Sequence, residues 1–165
     1  MGKNCAEVYK SGGITSGVYR IKPDGAGPDF EVFCDQETAG GGWIVVQRRL
    51  DGTVDFYRKW SDYKNGFGNL GGEFWLGLEK INRLTKSQSK LRVDLEDFDG
   101  NTAYADYKMF LVANESKKYQ LSVETYSGKL FEANKSNSFD QIYLADGGVF
   151  GQNLEVFRSF VFLYY

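Results

Sequence analysis

A chain of 165 residues, 42% of them apolar and 25% charged, has the balance of one globular domain rather than of a disordered segment. Twenty Lys and Arg against 22 Asp and Glu leave a net charge of −2, which excludes a nucleic-acid backbone as main partner. No histidine occurs, so Ser-His-Asp and Cys-His catalytic sets and nearly every zinc, copper or non-haem iron site are excluded.

The 13 Phe, 11 Tyr and 3 Trp beside 20 Gly and 2 Pro point to a loop-rich, β-containing fold. The opening Met1-Gly2-Lys3-Asn4-Cys5 has no apolar stretch that could serve as a secretion signal, and Ala6 breaks the myristoylation motif. The two cysteines, Cys5 and Cys34, are 29 positions apart, a spacing unlike any zinc or redox motif. Counting alone leaves free buried thiols and a disulfide both open. Trp43 to Arg49 reads as a strand between Gly40-Gly41-Gly42 and a turn at Asp51-Gly52. Asp55 to Trp60 mixes rings and charges and takes no assignment, and Asn65 to Gly72 reads as glycine-rich loop. Leu78, Ile81 and Leu84 give a short helix one apolar stripe. Leu91 to Glu96 alternates apolar and polar, and so does Ala103 to Ala113, after a turn near Asp99-Gly100. A further turn leads to a third strand, Tyr119 to Tyr126. Three strands on short turns predict an antiparallel meander, covered on one face, in an α+β fold. No apolar run approaches the roughly 20 residues that cross a bilayer; the longest is Phe160 to Tyr165.

Few motifs carry chemistry. Gly66-Phe67-Gly68-Asn69-Leu70-Gly71 fits G-x-G-x-x-G, but Ser61 to Asn65 cannot be the buried strand a dinucleotide loop must follow. Gly40-Gly41-Gly42 leads into a strand, so no helix end faces a phosphate there. Asp94, Glu96, Asp97 and Asp99 are acidic enough for calcium, but the EF-hand pattern fails at Leu95, and a solvated strand face plus a turn explains them. Two sequons, Asn114-Glu115-Ser116 and Asn134-Lys135-Ser136, make Asn114 and Asn134 candidates for N-glycosylation. A carboxylate-based glycan hydrolase would need two acids across a cleft, and nothing in the sequence marks one for a raised pKa.

Several segments together resemble the fibrinogen C-terminal globular domain, found in ficolins, tenascins, angiopoietins and fibrinogen. They are Asn4-Cys5-Ala6-Glu7-Val8-Tyr9, Ser16 to Ile21, Phe30 to Asp35, Gly40 to Arg49, Asp51 to Arg58, Gly66-Phe67-Gly68, Gly72 to Glu79, Leu91 to Phe98 and Tyr126-Ser127-Gly128. The likeness covers residues 4–128. Leu78 and Asn82 stand where relatives often carry Asn and His.

The resemblance implies a Cys5–Cys34 disulfide and hence an extracellular, secreted protein. It also implies a small N-terminal subdomain (1–42) and a central twisted antiparallel sheet with short helices (43–128). It implies a non-enzymatic module that binds an extracellular glycan or protein ligand, with no nucleic acid or membrane span. Oligomerisation would run through segments outside the chain. Past Gly128 the pattern stops: residues 129–165 show no cysteine and no acidic calcium loop, so no cofactor or ligand residue carries over. The expected function is recognition or adhesion, lectin-type or matrix- and receptor-binding, with the ligand lobe missing or replaced. A structural or oligomerising fragment is the alternative. The tail, 37 residues with 6 Phe and 3 Tyr, either pairs along the central sheet or was never selected to pack. The second is preferred, because so few residues cannot replace a lobe.

Overall fold

The structure, a computed structural model, describes residues 1–25, 27–87, 89–124, 126–128 and 158–164. It opens with helix α1 (Cys5–Lys10), started by Asn4, whose side-chain oxygen accepts from the Glu7 N–H at 2.9 Å. Strands β1 (Gly17–Ile21) and β2 (Phe30–Asp35) form an antiparallel hairpin, and β2 pairs on with β3 (Trp43–Arg49). Helix α2 (Trp60–Asn65) and the two-residue strands β4 (Phe67–Gly68) and β5 (Phe74–Trp75) follow, with β5 bonded to the far half of β3. Helix α3 (Leu78–Leu84) then leads to β6 (Ser89–Glu96), β7 (Thr102–Val112), β8 (Leu121–Val123) and β9 (Tyr126–Ser127). The architecture is α+β, as expected.

The alternation in β6 decides its placement. Ser89, Leu91, Val93 and Leu95 are buried, while Lys90, Arg92, Asp94 and Glu96 lie on the other face. The apolar face joins a core of Phe74, Trp75, Ile81, Leu84, Phe110 and Leu163. Helix α3 covers that core with Ile81 and Leu84, as its stripe predicts.

The expected third strand is divided. β8 pairs with Phe110 to Val112, whereas β9 pairs with Asp106 and Tyr107. Lys118 and Tyr119 hold φ of 54° and 52°, so the turn before β8 runs two residues longer than alternation suggests. The expected loop from Asn65 to Gly72 contains β4 and the turn that leads to its hairpin partner β5.

The tail departs further from expectation. Residues Arg158–Tyr164 form β10, inserted between β3 and β6, so the sheet runs β1-β2-β3-β10-β6-β7-β8. For these residues the preferred reading of an unpacked tail is overturned. Phe162 and Leu163 are buried, and the Phe162 and Tyr164 rings lie 6.1 and 5.1 Å from Trp43. The physical reason is in the segment itself: Phe160 to Leu163 is apolar and β-prone, and two strand edges were open to it. Residues 129–157 lie outside the described residues.

One buried carboxylate organises the loop after β3. Glu73, with a side chain 1% exposed, accepts from the backbone N–H groups of Leu50 (2.7 Å), Asp51 (3.0 Å), Gly52 (3.0 Å) and Val54 (2.9 Å). Arg49 Nη1 lies 3.3 Å away. Burial pushes the carboxyl up, but the hydrogen bonds from Leu50, Val54, Gly52 and Asp51 together outweigh it and hold the group below its ordinary range.

Two predictions follow from this architecture. In hydrogen exchange, the amides of β10 are expected to be protected as strongly as those of β3 and β6, and free-peptide rates there would contradict the insertion. Glu73→Gln trades an acceptor for a donor against four N–H groups and is expected to lose about 2–4 kcal/mol in urea unfolding. Because the folded-state carboxyl is depressed, the wild type's advantage over the variant should be full at neutral pH. It should fade as pH falls below about 4.5 and through the folded value.

Candidate functional site

The structure joins Cys5 and Cys34, with Cα atoms 5.5 Å apart, tying α1 to β2. Both are fully buried, and Gln36 next to them donates to the Cys5 carbonyl at 3.4 Å and accepts from the Gly42 N–H at 2.8 Å. Asn114 is exposed on the turn between β7 and β8. Asn134 lies outside the described residues.

The other motifs resolve into scaffold. Gly66 and Gly68 have φ of 95° and 89°, and side chains there would run into the carbonyls of Leu76 and Glu73. The loop follows helix α2 and feeds a hairpin, the reverse of the strand-to-helix order a pyrophosphate cradle requires. Asp97 accepts from the N–H groups of Asp99 (3.0 Å) and Asn101 (2.8 Å), closing the turn into β7. Among the described residues no three His, Cys, Asp or Glu side chains are grouped to hold a metal ion. Asn82 donates to the Val112 carbonyl at 2.8 Å, so it ties α3 to β7.

A cavity of about 430 Å³ opens where the end of β2 meets the polar face of β6 and β7. Its lining includes Asp35, Arg92, Asp94, Glu96, Tyr104 and Phe162. Arg92 is the organising cation: Nε lies 2.8 Å from Asp94, Nη1 lies 3.2 Å from Asp106, and the guanidinium sits 4.2 Å over the Tyr104 ring. Asp35 is engaged locally, accepting from the Thr38 N–H and hydroxyl at 2.8 Å each. Burial raises the Asp94 carboxyl above its ordinary value; Arg92 opposes this, while Asp106 and Asp35 add to it. The alternation placed Asp94 and Glu96 on a solvated face, and the structure instead gives them a concave wall. Arg92 shares the polar face of β6 with Asp94, but sequence reading missed Tyr104 and Asp35 as their neighbours, since these arrive only through the β6–β7 register and the docking of β2.

Arg48 is also a product of tertiary structure. Its guanidinium stacks 3.9 Å over Phe33 of β2 and 5.6 Å from Phe74 of β5. It thereby fills the fork where two strands leave the same edge of β3.

Known proteins resemble this chain in sequence and in fold. A family model described as the C-terminal globular domain of fibrinogen beta and gamma chains matches residues 1–153. The chain belongs to this family. The match runs past Gly128, where the resemblance read from the sequence stops. Human fibroleukin is 53% identical over 136 residues, covering 82% of this chain and 31% of that protein. The fibrinogen-like globe domain of human ANGPTL2 superposes with a TM-score of 0.76 at 43% identity, covering 78% of this chain and 60% of that one. A lamprey fibrin D-dimer, complexed with the peptide ligand Gly-His-Arg-Pro-amide, gives a TM-score of 0.74 at 43% identity, covering 88% of this chain and 45% of that one. The chain therefore spans about a third of fibroleukin and three fifths of the ANGPTL2 globe.

Within this fibrinogen-like domain the bridge closes a 29-residue separation, which contributes about 3–4 kcal/mol in the chain-entropy account. Replacing both cysteines by alanine is expected to lower unfolding stability by that amount. Alkylation of the unreduced wild type should find no free thiol.

Proposed function

We propose that this chain is a secreted, non-catalytic fibrinogen-like recognition module that binds an extracellular protein or glycan ligand. The observation that carries this reading is its likeness, at 43% identity, to the ANGPTL2 globe and to a fibrin structure complexed with a peptide. Secretion is supported by the closed Cys5–Cys34 bridge, which persists in oxidising compartments. No helix among the described residues is long and apolar enough to cross a membrane. Residues 1–42 and 43–128 are proposed as the two subdomains, with 158–164 completing the sheet of the second.

A second reading is a structural or oligomerising module without a ligand pocket. The raised Asp94 in its acidic cavity is what favours a glycan hydrolase, the third reading.

One set of measurements separates the three. A glycan array with and without calcium, and titration with Gly-His-Arg-Pro-amide, are expected to show binding that needs no calcium and yields no product. A calcium requirement would contradict a cofactor-free module. Defined oligomers without binding support the second reading, and cleaved glycans support the hydrolase.

A further inference from the structure

We propose that Asn114 carries an N-linked oligosaccharide and that this oligosaccharide shields the β8 edge of the sheet. Secretion, as proposed above, is required, because the donor sugar is met only in the secretory lumen.

The chemistry and the fold are compatible at one atom. Asn114-Glu115-Ser116 is an acceptor triplet, and the structure puts it on an exposed 3-10 turn between β7 and β8. The Asn114 side-chain oxygen starts that turn, accepting from the Ser116 hydroxyl at 2.7 Å and the Lys117 N–H at 3.3 Å. Glycosylation uses the other atom. Nδ2 bonds to the anomeric carbon of an oligosaccharide carried on a lipid pyrophosphate. The carbon–oxygen bond to the pyrophosphate breaks, the lipid pyrophosphate departs, and the nitrogen gives up one proton. The carbonyl oxygen is untouched, so the modified residue still holds the turn. The turn is also fastened from beneath: the Tyr119 N–H donates to the Asn114 carbonyl at 3.1 Å, and the Tyr119 hydroxyl donates to Glu79 at 2.5 Å.

The position has a consequence for the sheet. Among the described residues β8 has β7 as its one neighbour, so its outer backbone groups face away from the ladder. Leu111 and Val123 on this pair are 38% and 36% exposed. An open edge with apolar side chains is a template for self-association. Ala113 and Gln120 pair at 2.9 Å beyond the last ladder residues, which sets Asn114 one residue past the end of the β7–β8 ladder, on the turn that leads into the edge strand. A bulky, hydrated chain there screens the edge without entering the core.

The full chain, directed into the secretory route of cultured animal cells, tests this. Peptide mapping after amidase release of the sugar is expected to find Asp in place of Asn at position 114. Asn114→Asp keeps a side-chain oxygen for the turn but removes the acceptor. It should lose the sugar, keep its circular dichroism and bridge, and self-associate at lower concentration in light scattering. Ser116→Ala, with Asn114 in place, should do the same. An unmodified Asn114 in chains whose cysteines are bridged overturns the modification, even if Asn134 is occupied. Free cysteines with both sequons bare would instead sink the secreted reading, and the modification with it. Equal self-association of wild type and Asn114→Asp overturns the shielding.

Discussion

The sheet is one body because β10 lies between β3 and β6. Without it, β1 to β5 would form one group and β6 to β9 another, each ending in a bare edge. Every residue of β10 from Arg158 to Tyr164 has a partner on β6, and Ser159 to Leu163 also pair with β3, across one register shift between Val161 and Phe162. Backbone hydrogen bonds on both sides, plus the burial of Phe162 and Leu163, make this seam the element that the cavity, the Trp43 cluster and both strand groups share.

Polar groups placed inside the fold do the local shaping. Glu73 presents two oxygens to a ring of backbone N–H groups and thereby fixes the loop from Leu50 to Val54. Arg48 fills the fork between β2 and β5 with a stacked cation, and Arg92 joins Asp94 and Tyr104 in the wall of the cavity while its Nη1 holds Asp106. Each replaces lost hydration with several directed contacts, which is the condition for tolerating a charge away from water.

Much of this was legible in the residues. The alternation of β6 and β7, the stripe of Ile81 and Leu84, and the strand from Trp43 to Arg49 all follow from local period, and the structure reproduces them. The Cys5–Cys34 pairing came only through resemblance, because spacing cannot choose between free thiols and a bridge. What local pattern could not give is register and crossover. Glu73 sits in an ordinary-looking Gly-Gly-Glu-Phe stretch, and nothing nearby announces that four N–H groups more than a dozen residues earlier will converge on it. Arg92 and Tyr104 meet because Asp94 lies opposite Tyr104 across the β6–β7 ladder, a choice made by turn length. The strand at 158–164 was visible as apolar and β-prone, but the gap it enters exists only after the rest of the sheet has formed.

That gap bears on how the molecule is made. A ribosome releases β3 and β6 long before β10, so the nascent chain carries two complementary unsatisfied borders while more than sixty residues are still being added. Pairings between distant positions close slowly, and another chain on the same polysome offers an equivalent strand. Yield in a cell is therefore governed by holding those borders apart until translation reaches Tyr164, a demand on chaperones set by connectivity alone.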